Sequence, residues 1–367
     1  MKRLANFIVS KGTVKRTKYI YFPFAVVIFA FLFIAAELTV KKGESFAEIN
    51  QNFNGNIPIV YSPNYNIEFF GLEEFHPFDS KKYGRIYEFL KDHSVETNSF
   101  IVGKKADDEL LLQHHTQSYL DSLNSSWELA RITELGFLRF FPTKLARNIV
   151  LEPMLYQTGG SIMAAKAALE HGWAINLGGG FHHASSENGE GFCALADISL
   201  IIKYLRREGL IKKAMIIDLD AHQGNGHERD FLEDNDVYIF DIYNKDVYPR
   251  EYAVKHAINK KVELPIYAGN KLYNSNFIPA IKQAFSEFKP DIIIYVAGTD
   301  ILDSDPLGGL GVSAKGVIER DELVFKYAFE NKTPIVMLLS GGYQKSNAYI
   351  IAKSIINLDE KYELLDK

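Results

Sequence analysis

Asp218, Asp220 and His222 occupy alternate positions in AMIIDLDAHQGNG (residues 214–226), directly after the apolar run 214–217. A continuous apolar run fits a parallel strand covered on both faces. Extended backbone points residues i, i+2 and i+4 the same way, so the three polar groups can converge on one point. A carboxylate and an imidazole two residues apart are good zinc ligands, and a further carboxylate beside them suits an orienting role. Alone, the pattern is equally that of a strand end with an aspartate-rich turn. Three other apolar runs end the same way, however. WAINL (173–177) leads through three glycines and Phe181 to His182 and His183, DIIIYVAG (291–298) to Asp300, and PIVMLL (334–339) to Ser340, Gly341, Gly342 and Tyr343. Core histidines or solvated aspartates have no cause to fall at a strand end each time. One shared active site accounts for all four.

Together these residues suit hydrolysis of an amide. Asp220, His222 and Asp300 supply three protein ligands and leave an open zinc position for water and a substrate oxygen. His182 and His183 can provide the base for the water and the acid for the leaving amine. Tyr343 can donate its hydroxyl hydrogen to the developing oxyanion. Glycines beside it, Gly342 among them, suit close approach by a substrate. His114 and His115 sit in a helix-start context and read as surface or capping residues.

The elements that must position these groups alternate. IPIVY (57–61), the three runs above, 214–217 and DVYIFDIY (236–243) read as strands. Helical spacing is expected over 81–93, 110–123, 127–135, 194–207, 276–288, 314–329 and 344–358. A longer helix over 144–171 is expected to break near Gly159 and Gly160. Strands alternating with helices imply a mostly parallel sheet with helices on both faces, and such sheets bind ligands beyond the carboxyl ends of the strands.

With 47% hydrophobic and 24% charged residues the chain is globular in composition, and its net charge of −5 gives no electrostatic case for nucleic-acid binding. The single cysteine, Cys193, excludes an intrachain disulfide framework. The N-terminus differs from the rest. Residues 1–18 form a basic tail with no acidic residue, and residues 19–36 carry no charge at all. Eighteen residues of helix span about 27 Å, close to the hydrocarbon core of a bilayer. A transmembrane helix is therefore expected over 19–36. A cleaved signal fits less well, because the basic region is long and Ile34-Ala35-Ala36 is a poor cleavage site. A buried core helix would not need so basic a flank, and a surface-lying helix would need a polar face. Residues 37–56 read as a linker, and residues 57–367 as one catalytic domain. The basic flank predicts a cytoplasmic N-terminus, which places the catalytic domain on the opposite side of the membrane.

GGGFHHA (178–184), GFC (191–193), DLDAHQGNG (218–226), AGTD (297–300) and SGGY (340–343) together resemble the motifs of the zinc-dependent histone deacetylases. PIVYSPNYNIEFFGLEEFHPFD (58–79), AGTDILDSDPLGGL (297–310) and SGGYQKSNAYIIAKSIINL (340–358) resemble the class IV branch more narrowly. The likeness runs from about residue 57 to about 358 and covers none of residues 1–56. It implies the arginase/deacetylase fold, a single three-layer α/β/α domain around an eight-stranded parallel sheet. Carried over by position, Asp220, His222 and Asp300 match the zinc ligands, and Tyr343 the carbonyl-polarising tyrosine. His183 matches the general base and acid, and His182 an electrostatic partner paired with Asp218. Asp218 also matches a ligand of a structural potassium ion. Phe192, next to Gly191, matches a wall of the acyl-lysine tunnel. Asn225 stands where class I members carry an aspartate beside the second histidine, a feature shared with classes II and IV. An amide stabilises an imidazolium less than a carboxylate does, so His183 should be less basic.

The resemblance implies hydrolysis of acyl-lysine amides, and the class IV likeness implies long fatty acyl groups, which suits a membrane setting. A deacetylase of small acetylated amines or polyamines would share every catalytic residue. A binuclear manganese ureohydrolase would need an aspartate where Gly224 stands, and a non-catalytic binding domain would have no use for an intact catalytic set. Residues 19–36 should hold the protein in the membrane through carbonate or high-salt washing. Protease added to intact cells or spheroplasts should then digest the catalytic domain and leave cytosolic markers whole. Protection of the domain would reverse the orientation, and a soluble product beginning near Glu37 would show a cleaved signal.

Overall fold

Eight strands, each parallel to its neighbours, form one sheet in the order β2-β1-β3-β8-β7-β4-β5-β6. They are β1 (Ile57–Tyr61), β2 (Phe100–Val102), β3 (Trp173–Asn176), β4 (Ala214–Asp218), β5 (Val237–Asn244), β6 (Lys260–Leu264), β7 (Ile292–Val296) and β8 (Ile335–Leu338). This is a computed structural model, and it describes residue 53, residues 55–68 and residues 79–365. Among these, no helix is long and apolar enough to cross a membrane. The expected span over 19–36, the basic tail and nearly all of the linker lie outside the described residues.

Burial on both faces follows from the alternation of side chains along each strand. Ala214 and Ile216 enter one core and Met215 and Ile217 the other; Ile292, Ile294 and Val296 divide from Ile293 and Tyr295 in the same way. Helices Glu152–His171 and Asp197–Arg207 cover the first face. Helices Lys82–Asp92, Asn270–Glu287, Ala314–Glu330 and Asn347–Tyr362 cover the second. The result is the three-layer arrangement expected from the alternation. The two strands that apolar pattern does not reveal, β2 and β6, are the two edges. One is three residues long and the other alternates, because an edge strand need not be buried throughout.

Two local expectations are corrected. Residues 110–123 do not form one helix: Asp108–Leu111 and Gln117–Ser122 are separate, each with a side-chain cap, Asp107 on Leu110 N and Thr116 on Tyr119 N. Nor does the long helix break at Gly159 and Gly160, since Glu152–His171 is continuous, preceded by a π-helical turn over Arg147–Leu151. The glycines serve close approach instead. A Cβ on Gly159 would lie 2.0 Å from the Lys104 carbonyl oxygen, and one on Gly160 would lie 1.8 Å from the Tyr65 hydroxyl. That hydroxyl donates to Asn176 at the end of β3, 2.8 Å away.

In an exposed helix Gly→Ala stabilises by about 1 kcal/mol. Here Gly160→Ala should reverse the sign and cost about 1–3 kcal/mol through overpacking. Thermal unfolding reads this directly, and adding Tyr65→Phe should recover part of the lost Tm.

Candidate active site

The four strands that end in chemistry are β3, β8, β7 and β4, and they are consecutive at the centre of the sheet. Their carboxyl ends therefore open onto one place. Asp220, His222 and Asp300 each offer an atom within 4.8 Å of the others, and all three residues are buried. His222 Nδ1 lies 3.0 Å from Asp220 Oδ1 and 3.0 Å from Asp300 Oδ2. Backbone donors pin the carboxylates: Ala221 N donates to Asp300 Oδ1 at 2.8 Å, and Gly341 N to Asp220 Oδ2 at 2.9 Å. Gly341 must be glycine, since a Cβ there would sit 2.4 Å from Asp300 and 2.5 Å from Asp220.

Two buried carboxylates meet here; burial works against the charge on Asp220, but His182 and His222 hold it well below the usual carboxylate range. Burial, then Asp220, pushes Asp300 up to about 7. Burial opposes charge on His222, yet its hydrogen bonds to the two carboxylates and their charges carry it up to about 10. The donor set, two carboxylate oxygens and one imidazole nitrogen meeting at one point, fits zinc.

The adjacent histidines, their ring centroids 4.1 Å apart, have opposite surroundings. His182 Nδ1 is 2.9 Å from Asp218 Oδ2, and its Nε2 is 3.6 Å from Asp220 Oδ1. Burial works against its charge, but Asp220 and Asp218 outweigh it and raise His182 to about 9. His183 Nδ1 faces the neutral amide of Asn225, 2.7 Å from its Oδ1. Burial, with His182 and His222 beside it, holds His183 well below the ordinary histidine range. The lowering comes from burial and the two neighbouring histidines, while the Asn225 hydrogen bond works weakly against it.

Tyr343 and Phe192 lie beside each other, with ring centroids 6.5 Å apart, and Tyr343 stands edge-to-face 6.1 Å from the His222 ring. Burial, then Asp300 and Asp220, raises the Tyr343 phenol well above its usual range and keeps it a donor. Gly191, at φ +53°, lies against His183, where a Cβ would approach Cδ2 to 2.5 Å. Gly342, at φ +141°, turns the chain into Tyr343 beside Thr299. Every residue expected at the site is therefore brought to it.

Several supporting residues carry no sequence signal. His227 Nε2 shares Asp218 Oδ2 with His182, also at 2.9 Å. Lys82, buried and lowered by that burial to about 8, donates to the carbonyls of Ser340 and Gly341. Arg320, fully buried, is paired with Asp321 and donates to the carbonyls of Leu219, Ala297 and Gly298 beneath the carboxylates. Both bases lie on helices of the second face, where a lone charge looks like any solvated position. His114 and His115 correct the surface expectation. His114 Nε2 is buried against Asp230 at 2.7 Å, and His115 Nε2 accepts from Ala196 N at 3.0 Å.

The histone deacetylase domain matches residues 76–358. The chain is 45% identical over 360 residues to histone deacetylase 2 of Arabidopsis thaliana, across 94% of this chain and 93% of that one. That is more of the chain than residues 57–367 comprise, so this likeness, unlike the motif resemblance, runs into the N-terminal segment. A probable deacetylase of Archaeoglobus fulgidus is 29% identical over 256 residues, 66% of this chain and 69% of that one. The crystal structure of the HDA15 HD domain superposes with a TM-score of 0.68 at 19% identity, covering 85% of this chain and 90% of that one, which shows the fold.

Asp300→Ala should abolish metal retention, measured as zinc per chain after gel filtration. Tyr343→Phe should retain the metal and the fold while kcat falls by roughly 10²–10³, the usual cost of one oxyanion donor. Near-normal turnover in Tyr343→Phe would mean that another group polarises the carbonyl, and two tightly held manganese ions in the wild type would overturn the zinc assignment.

Proposed function

The chain belongs to the histone deacetylase family, and we propose that it is a zinc-dependent hydrolase of acyl-lysine amides, held at a membrane by the uncharged run of residues 19–36. That it is an amidohydrolase of the deacetylase type follows from the family and from its deacetylase relatives. The observation that carries the finer reading is the meeting of Asp220, His222 and Asp300 directly beside two histidines of opposite character.

Asp220, His222 and Asp300 would hold zinc, which would supply an acidified water and a polarised substrate carbonyl. His183, neutral and anchored through Nδ1, takes the proton of the attacking water on Nε2 and returns it to the leaving amine. His182, kept positive by Asp220 and Asp218, stabilises the negative charge that develops between these events. Tyr343 donates to the oxyanion. The C–N bond breaks, and the products are a carboxylate and the free lysine amine. Asp218 would also help to hold a structural potassium ion, as the family resemblance implies. Asp241 lies in register with it on β5, and its buried Oδ1 has no donor among the described residues.

An apolar cavity beside Phe192 and Phe181, walled by Ile67, Leu135, Val150 and Met154, supports acyl groups longer than acetyl. A membrane setting suits such substrates, and the basic flank before residue 19 supports a domain on the side opposite the N-terminus. Purified full-length chain should hydrolyse acyl-lysine peptides, with kcat/KM rising from acetyl toward myristoyl. Turnover of acetylated polyamines alone would replace the protein substrate with a small amine, and no turnover of any acyl-amide would sink the reading.

A further inference from the structure

Asn225 belongs to a polar cluster that neither the metal nor the tunnel explains. Its Nδ2 lies 2.9 Å from Glu190 Oε1 and 2.8 Å from Glu251 Oε2. Arg229, one helical turn on, binds both glutamates, with Nε 3.0 Å from Glu251 Oε1 and Nη2 2.8 Å from Glu190 Oε1. Gln223 seats Glu251 by a reciprocal pair, donating to its carbonyl at 2.9 Å and accepting from its N–H at 3.0 Å. The three charged side chains are about a quarter exposed, while Asn225 is fully buried. The glutamates arrive from two separate loops, one before Phe192 and one after β5.

We propose that Glu190 and Glu251, clamped by Arg229, are positioning residues that fix the tautomer of His183 through Asn225. The inference rests on the deacylase reading for its catalytic meaning but not for its geometry. Carboxylates only accept hydrogen bonds, so each of them claims one hydrogen of the Asn225 amide. The amide cannot turn over without setting its oxygen against two carboxylate oxygens. Asn225 Oδ1 is thereby committed to His183, and the only bond available at 2.7 Å is one donated by His183 Nδ1–H. A neutral imidazole protonated on Nδ1 carries its lone pair on Nε2, the nitrogen that must receive the proton of the water. Without the glutamates the amide is free to rotate and donate to Nδ1. The proton then moves to Nε2, and the base is disabled although every catalytic residue is still present. A wrong imidazole tautomer likewise disables the base of the Ser-His-Asp triad. An asparagine with two carboxylates behind it thus orients the base without placing a charge beside it.

Glu190→Gln together with Glu251→Gln removes the constraint while keeping shape, because each glutamine can turn a donor or an acceptor toward Asn225. Turnover of acyl-lysine peptide should fall by about 10–100-fold in kcat, within the range of general-base effects, with KM and zinc content held. Adding Asn225→Asp should restore most of it, since a carboxylate there can only accept, from the glutamines and from His183 alike. A structural role would not be rescued in this way. The tautomer is read independently by ¹⁵N NMR of histidine-labelled protein, with His183 assigned by its loss in His183→Gln. The wild type should be protonated on Nδ1 and the double variant on Nε2. Each single substitution leaves one carboxylate on Arg229, preserves the fold and should give a smaller loss. Wild-type kcat in the double variant, failure of the added Asn225→Asp to rescue, or a wild-type ring protonated on Nε2 would each overturn the proposal. Absence of any acyl-amide turnover in the wild type would instead sink the deacylase reading, and the NMR result would still decide this one.

Discussion

Asp220 and Asp300 are two fully buried carboxylates aimed at the same point, and the centre of the molecule is arranged around that cost. Burying one carboxylate without a partner is expensive, and burying two that face each other is worse. The chain meets the cost with backbone donors from Ala221 and Gly341 and with His222 between the two groups. The same glycine that donates must also lack a side chain, because a Cβ would collide with both carboxylates. A site of this kind cannot tolerate slack in the strand ends that carry it.

That demand explains the second-face helices. Arg320 reaches under the ends of β4 and β7 to three carbonyls, with Asp321 to balance it, and Lys82 does the same for the loop after β8. Breaking a buried pair such as Arg320–Asp321 typically costs about 3–5 kcal/mol, because a bare charge is left behind. Here the pair also spaces the carbonyls that lie just before the ligand residues. Stability and site geometry are the same interaction.

Neighbouring histidines acquire different chemistry from what lies behind each ring. A carboxylate behind His182 keeps it charged, and an amide behind His183 leaves it neutral under the influence of burial and two other histidines. Acid–base roles in one site are commonly separated by environments that push two pKa values apart. Asp218 is itself divided between His182 and His227, so its charge is set by both.

How much of this was legible in sequence depended on whether the signal was local. Apolar runs that end in Asp, His or Tyr, and the period-2 placement of Asp218, Asp220 and His222, announce strand ends with converging groups, because backbone geometry alone dictates where such side chains point. The inner strands, most of the helices between them and the strand-end residues Asp218, Asp220, His222, His182, His183, Asp300 and Tyr343 were readable on that basis, whereas Gly191, Phe192 and Asn225 were reached only through the family resemblance. The edge strands β2 and β6 were not, because exposure removes the apolar pattern. Gly159 and Gly160 read as a helix break because a sequence does not show Tyr65 and Lys104 pressing on them. Only the sheet order, which makes β3, β8, β7 and β4 neighbours, brings four distant motifs to one point. Lys82, Arg320, Glu190, Glu251 and Arg229 were invisible for the same reason: a lone charge on a helix or loop gains its role from partners up to some 260 positions away. Residue type and spacing determined what chemistry the chain can perform. Tertiary packing decided which groups face each other, and with that their charge, because electrostatic interactions depend on distance and burial rather than on position in the chain.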